Sequence, residues 1–435
     1  MWGAHYTIGL EKRGIPGVFV VDEPFLEDVR ITVEKEGMPS LRTVVVPHPC
    51  GSIPDELYSE IIPKLIESLT VPLSEKEKET GTVISKKLGR IAIGGTIDEV
   101  QDYFYEHRWS DGLPIIPPTE EKVKEMLKGT SHSPDEVVTT TMWPESWSVT
   151  VEKVAINGVM AGCKPNYMPV LLAIVEAWGK GRFESTVRST TSFAFPILVN
   201  GPVRNELEMN AGTNALGPGN RANATIGRFL RLAIINLGGS WPGINDMSSQ
   251  GNTAKYSFCF PENEERSPWE PFHVSLGYKP EESTVSIFSG GWTHLGNWPQ
   301  LDRIAQGIVS YTIAGGVTIL LDPMPARELA AKGMSKQDVE EYIGSRATTT
   351  KKDIKYKQGH YYEDTVRAVL WSKADPSRRQ NSRWPADFLD LPDDAIIQPY
   401  PPEVVKVIVV GGETNSFAQT WLVSLPSTAS VDKWR

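Results

Sequence analysis

Cysteine is scarce in this chain: 435 residues contain three, Cys50, Cys163 and Cys259. An odd, sparse count excludes a disulfide framework and predicts reduced thiols in a cytoplasmic protein. Long apolar runs are missing as well. No stretch approaches the roughly 18 consecutive apolar residues that span a bilayer. The first residues, MWGAHYTIGLEKRGIPGVFVVDEP, lack the basic start and small-residue cleavage site of a secretory signal. Positive charge is in deficit, with 44 Lys and Arg against 54 Asp and Glu and a net charge of -10. Such a balance gives no electrostatic reason to bind nucleic acid or an anionic membrane. No CxxC, HxH or HxxxH spacing occurs among the three cysteines and seven histidines, so no local metal motif exists. A metal held by distant histidines stays open. GxGxxG, GxxxxGK[ST] and GxSxG are absent too, which leaves no nucleotide fingerprint and no serine elbow. No cofactor is predicted.

What is present is an ordinary globular composition, 40% hydrophobic and 23% charged, in a chain too long for one core. Prolines (33) and tryptophans (13) are abundant, and they cluster in the phrases LPIIPPT, MWPESW, SWPG, SPWEPF, NWPQ and QPYPPE. Stiff aromatic loops of this kind suit either pocket walls or an oligomer interface.

The pattern divides the chain at a charged connector, residues 74–96. Before it, residues 1–73 read as helix (5–13), strand (GVFVVDEP), helix (24–36), strand (RTVVVPHP) and helix (54–69). Continuous apolar strands between helices make this part of a doubly wound parallel sheet. After it, residues 97–435 form a larger α/β domain. Helices are expected at 97–107 and 120–128, with Thr96 and Thr119 as N-caps. From 149 onward a helix–strand unit recurs, its strands FPILVNGP, TVSIFSGG, GVTILLDP and VVKVIVVGGE ending in small or polar residues. The pattern predicts a parallel or mixed sheet whose strand ends share one ligand-binding edge.

Three stretches could carry chemistry. Cys163 lies in a Gly162–Pro165 break ahead of a helix and beside Lys164. Dipole and ammonium would lower its pKa towards a usable thiolate, against the alternative of a small buried hydrophobe. The loop NAGTNALGPGNRANATIGRFLR offers Asn214, Arg221, Asn223 and Arg228 ahead of a helix, an anion cradle and clamp, or an asparagine-rich turn capping that helix. The stretch 246–274 gathers Lys255, Cys259, Glu262, Glu264, Trp269 and His273. KYSFCF alternates like a strand, which would put Lys255, Ser257 and Cys259 on one face. Glu262 or Glu264 would then act as acid or base and His273 as a proton carrier, unless PENEER is a solvated turn and Cys259 core filling.

LEKRGIPGVFVVDEP, GMPSLRTVVVPHP, WSDGLPIIPPTEEKV, VEKVAINGVMAGCKPNYMPVLLA, GPGNRANATIGR and YSFCFPENEERSPWEPFHV resemble the UGSC-type (seleno)protein family. The resemblance extends over nearly the whole chain. It implies a small domain like the thiol/selenol domain of glycine reductase component B, with a Sec/Cys-Gly-Ser-Cys loop just ahead of its first helix. This chain starts at Met1-Trp2, where that motif would have ended. A misplaced start, a partner chain supplying the loop, or a subfamily using only the large domain would each account for it. Cys50, in HPCGS, does not stand in the motif's place. The positions Cys163, Asn200, Arg221, Asn223, Cys259, Glu262 and His273 are intact.

The leading expectation is therefore an enzyme, a lyase or thiol-dependent oxidoreductase. It would make or cleave a C–S or C–N bond of a small anionic substrate, with Cys163 as nucleophile or redox thiol. Cys259, Glu262 and His273 would assist. Asn200, Asn214, Arg221, Asn223, Arg228, Lys255 and Trp269 would bind the substrate. A Glu/His-based hydro-lyase or hydrolase, with or without a metal, is the second reading. A non-catalytic subunit whose partner carries the thiol or selenol loop is the third. A homo-oligomer, or a hetero-oligomer with such a subunit, is expected.

Overall fold

A computed structural model describes residues 2–48, 53–78, 92–181, 183–297, 300–309, 316–359, 362, 365–366, 369–370, 387–413, 417–423 and 426–435. Cys50 and much of the connector lie outside the described residues.

The small unit follows the expected order: helix Trp2–Glu11, strand Phe19–Asp22, helix Leu26–Lys35, strand Thr43–Val46 and helix Asp55–Thr70. Its two strands pair in parallel, Phe19 opposite Thr43. Val21 points into a core with the first two helices and Val44 and Val46 into a second core with the third helix on the opposite face, while Val20 and Val45 stay exposed. The last helix also keeps Tyr58, Ile62, Ile66 and Leu69 exposed at helical spacing. The unit is joined to the larger part through the buried Arg188. Arg188 Nη1 donates to Asp28 Oδ1 and its Nη2 to Glu145 Oε1, both at 2.6 Å in a buried setting.

The larger part is α/β in four layers. Its first sheet has the order Ser427–Ser430, Thr284–Ile287, Ile197–Asn200, Cys259–Pro261, and its second Val405–Val409, Gly316–Leu321, Phe417–Val423, Trp292–Asn297. Alternation along the strands sorts the side chains. Ile197, Val199, Val285 and Ile287 face helices Met168–Lys180 and Arg221–Asn236. Val317, Ile319, Val405 and Val407 face helices Leu301–Val309 and Lys336–Arg346 on the far side. Leu198, Phe260, Leu320 and Ile408 meet between the sheets.

The two sheets repeat one arrangement, residue by residue. Ile197 pairs in parallel with Cys259 and antiparallel with Ile287, which pairs with Ser427. Ile319 pairs in parallel with Val407 and antiparallel with Thr420, which pairs with Thr293. In each half the first strand leads through a short helix to an N-capped longer one, capped by Asn220 or Ser335. The fourth strands are exchanged: Trp292–Asn297 of the first half completes the second sheet, and Ser427–Ser430 of the second half completes the first.

This corrects the expected architecture. Instead of four helix–strand units there are two larger repeats, and the strands ending in NGP and SGG run antiparallel, so their ends lie on opposite edges. The ends that do meet belong to the parallel pairs. Asn263 donates its N–H to Val409 O (2.8 Å) and its Nδ2 to Gly411 O (3.0 Å), joining the two edges. After the strand Gly316–Leu321 come two helices, Pro323–Ala331 and Lys336–Arg346, split at Gly333 with φ +84°. An antiparallel ribbon, Val137–Met142 with Trp147–Thr150, was not anticipated.

Candidate functional site

Helix Arg221–Asn236 supplies the floor of the main cleft. Arg228 and Arg231 stand three residues apart and so share a face. Arg228 is fully engaged: its Nε and Nη2 grip Asp111 at 2.9 Å each, and Nη2 reaches the carbonyls of Leu113 and Pro114. This fork pins the WSDGLP loop onto the helix and leaves Arg231 beside it.

Arg231 faces a cleft of about 800 Å³, walled by Tyr105, Asp111, Trp241 and Tyr256 and closed below by Asp246, Ser248 and Lys255. SWPG is thus one of the stiff loops that became a pocket wall. Lys255 Nζ donates to both Asp246 oxygens (2.8 and 2.9 Å) and to Ser248 Oγ (2.6 Å), and Ser248 Oγ donates to Asp246 Oδ1 (2.7 Å). Arg231 Nη2 lies 3.4 Å from Asp246 Oδ2. Two cations share one carboxylate, so the floor holds an excess positive charge. Burial pushes Lys255 and Arg231 down from their usual values, with Asp246 opposing. Burial alone would raise Asp246, yet Lys255 and Arg231 hold it below the ordinary aspartate range. Such a floor attracts an anion and carries a loosened ammonium proton.

The other expected residues fall into three groups. Cys163 is buried in the core beneath the first sheet, its Sγ turned towards Thr225 O (3.4 Å). Desolvation pushes the thiol up to about 12, despite Arg221 and Arg228 nearby. The expected lowering by the helix start and Lys164 is therefore reversed: burial outweighs both. Cys259 points into the same core, and burial again pushes its thiol up. Nor does KYSFCF form one strand face. Lys255 ends the 3-10 turn Thr253–Lys255, Ser257 Oγ donates to Ala224 O, and the strand is only Cys259–Pro261.

The asparagine loop braces itself. Asn223 Nδ2 donates to Asn210 O and Ala215 O, Asn220 Oδ1 caps the helix by accepting from Asn223 N, and Asn214 Nδ2 donates to Pro218 O. Arg221 holds Gly162 O through Nε and Nη2 (3.2 and 2.9 Å), tying down the Cys163 kink. Neither Arg221 nor Asn223 lines the cleft, and Asn214 lines a separate, smaller pocket. Trp269 packs on the second sheet's outer core, its Nε1 donating to Met334 O.

Asn200, Glu262 and His273 do meet, with Glu264, at the ends of strands Ile197–Asn200 and Cys259–Pro261. Asn200 Nδ2 donates to Glu262 Oε2 (2.6 Å) and Glu264 Oε1 (2.9 Å), and Phe272 N donates to Glu262 Oε2 (2.7 Å). Glu264 also accepts from Gly201 N and pairs with Arg204 at 2.8 Å. PENEER is therefore no solvated turn: Glu262 is 1% exposed, and burial raises its carboxyl above the usual range, with Lys336 opposing. His273 is fully buried, 4.0 Å from Glu264, and its ring nitrogens lack hydrogen-bond partners among the described residues. None of these residues lines the cleft.

Sequence reasoning missed Asp111, Arg231, Asp246 and Ser248 in the cleft, and Arg204 beside Glu264. The signal for Arg231 was present: it repeats Arg228 at helical spacing. Nothing local marks Asp246, whose role depends on the loop folding back over that helix. Among the described residues no group of three or more His, Cys, Asp or Glu could hold a metal ion, and no helix is long and apolar enough to cross a membrane.

No curated protein and no solved structure matches the chain. Residues 2–74, the small unit with its parallel strand pair, match the model of the UGSC family, and the family reading made from the sequence holds for that part of the chain.

Proposed function

We propose that the chain is an enzyme that binds a small organic anion in the cleft over Arg231 and Lys255 and moves a proton on it. One observation carries this reading: the Arg231–Asp246–Lys255–Ser248 floor, two cations to one carboxylate, at the base of an 800 Å³ cleft. Arg231 would receive the carboxylate of the substrate. Lys255 in its amine form would take a proton from the neighbouring carbon, the electron pair would form a C=C bond, and a nitrogen, sulfur or oxygen substituent would leave with its bonding pair. Ser248 and Asp246 keep Lys255 in place and receive its hydrogens while it is charged. This is lyase chemistry by general acid and base, favoured over thiolate attack because both described thiols are buried with raised pKa values.

A reducing, cytoplasmic setting belongs to the same proposal, supported by Cys163 and Cys259 being free. So does self-association, for which the exposed stripe Tyr58, Ile62, Ile66 and Leu69 is suited; sedimentation of an Ile62→Glu, Ile66→Glu variant tests it.

The binding test is a melting-temperature screen with small mono- and dicarboxylates. The reading expects at least one to stabilise the protein saturably, with Lys255→Arg retaining that response and losing turnover. No saturable response to any carboxylate would contradict it.

A further inference from the structure

The floor of the main cleft changes character over one helical turn. Arg231 and Ile235 stand four residues apart on helix Arg221–Asn236, and both line the cleft. Residues at that spacing are neighbours on one helix face. A ligand that seats an anion over Arg231 and Lys255 therefore meets an apolar side chain beside it.

The walls add aromatic rings from segments far apart in the chain. Helix Ile97–Glu106 carries three aromatic residues in a row. Phe104 is buried, and Tyr103 stacks on His107 with ring centroids 3.8 Å apart; both belong to the core beneath the first sheet. Tyr105 takes no part in that core: it is 67% exposed and lines the cleft. Tyr256 repeats the contrast. Phe258 and Phe260, two and four residues on, are buried between the sheets, while Tyr256 is 50% exposed and lines the cleft next to Lys255. Trp241 completes the set, its indole set edge-on against Trp147. Single exposed rings are ordinary at a protein surface, but rings that converge on one concavity form a binding surface.

The charges that remain on the lining do not call for a second anion. Asp111 is taken by Arg228, and Glu106 and Arg108, two residues apart, are of opposite sign. A cleft of about 800 Å³ also encloses far more than a carboxylate group. Cavities of roughly 300–1,000 Å³ hold ligands with a sizeable apolar body and a few fixed polar contacts.

We propose that the cleft selects arylcarboxylates, with the carboxylate over Arg231 and Lys255 and the ring packed against Ile235, Tyr105, Trp241 and Tyr256. This rests on the reading of the cleft as an anion site and names its substrate class. The probes are phenylacetate, cyclohexylacetate, succinate and acetate at equal ionic strength, with apparent affinities taken from melting-temperature shifts. Phenylacetate should bind at least ten-fold tighter than acetate and succinate. Cyclohexylacetate should fall about three-fold short of phenylacetate, since paired aromatic rings gain beyond the burial of apolar area. A Tyr105→Ala, Tyr256→Ala double variant removes only exposed rings and should lose the preference for phenylacetate while keeping the affinity for acetate. Arg231→Gln should weaken both ligands. Equal affinity for phenylacetate and acetate, a succinate affinity above that of phenylacetate, or an undiminished ring preference in the tyrosine variant would overturn this proposal and leave the anion site standing. A failure of every carboxylate to bind would overturn the anion site and the proposal with it.

Discussion

The Lys255 ammonium lies 2.8 and 2.9 Å from the two carboxylate oxygens of Asp246, nine residues earlier in the chain. Both side chains are largely buried, and the loop between them forms one wall of the cleft. Removing one partner strands the other charge in a low-dielectric setting. Lys255→Met should therefore cost about 3–5 kcal/mol of stability, the usual scale for a broken buried pair. Asp246→Asn should cost less, since the amide oxygen still accepts from Lys255. Denaturant titration of both variants checks this order.

Neither described thiol should behave as a nucleophile. Cys163 is 8% exposed with a pKa pushed up to about 12, so only a minute fraction is thiolate near neutral pH. Iodoacetamide at pH 8 should alkylate Cys163 and Cys259 only as fast as the protein unfolds, as read by peptide mass spectrometry. Rapid labelling of either in the native protein would restore a case for thiol chemistry.

The attachment of the small unit should depend on pH through Asp28. Burial pushes its carboxyl up to about 6 from 3.8, although Arg188 opposes the shift. The folded state therefore holds this proton more tightly than the unfolded state does. Its contribution to stability is fully present below about pH 4 and is lost as pH rises through 6. In Asp28→Asn that downward slope between pH 4 and 6 should disappear, measured by denaturant midpoints across the range. A wild-type slope retained in the variant would assign it to other groups.

Glu262 should matter as a hydrogen-bond acceptor more than as an anion. Burial raises its carboxyl, and its Oε2 accepts from Asn200 and Phe272 N. Glu262→Gln keeps an acceptor oxygen and should lie within about 1 kcal/mol of wild type. Glu262→Ala leaves two buried donors unsatisfied beside a cavity and should cost about 2–4 kcal/mol. Thermal or chemical unfolding of the pair distinguishes the two roles.

Local signals carried most of the helices and apolar strands into the sequence reading. Thr96 and Thr119 cap their helices as expected, Thr96 through a full capping box with Glu99. Glu262 and His273 were picked out from one stretch and Asn200 only through the family resemblance; the parallel pairing of their strands is what brings Asn200 and Glu262 together. The rest depended on distance in the chain. Burial of Cys163 is set by the sheet and two helices packed around it, which no neighbouring residue records. Arg228 and Arg231 look alike on the helix, yet only the fold decides that Asp111 occupies the first, leaving the second beside the cleft. The exchange of fourth strands between sheets is likewise invisible to periodicity, since both are short strands whichever sheet they join.

The central claim is that the anion sits over Arg231 and not in the asparagine–arginine loop. It is tested most directly by the affinity of one stabilising carboxylate for wild type, Arg231→Gln and Arg221→Gln, measured side by side. The account predicts at least a ten-fold loss in Arg231→Gln and an unchanged affinity in Arg221→Gln. Retained binding in Arg231→Gln with loss in Arg221→Gln would contradict it.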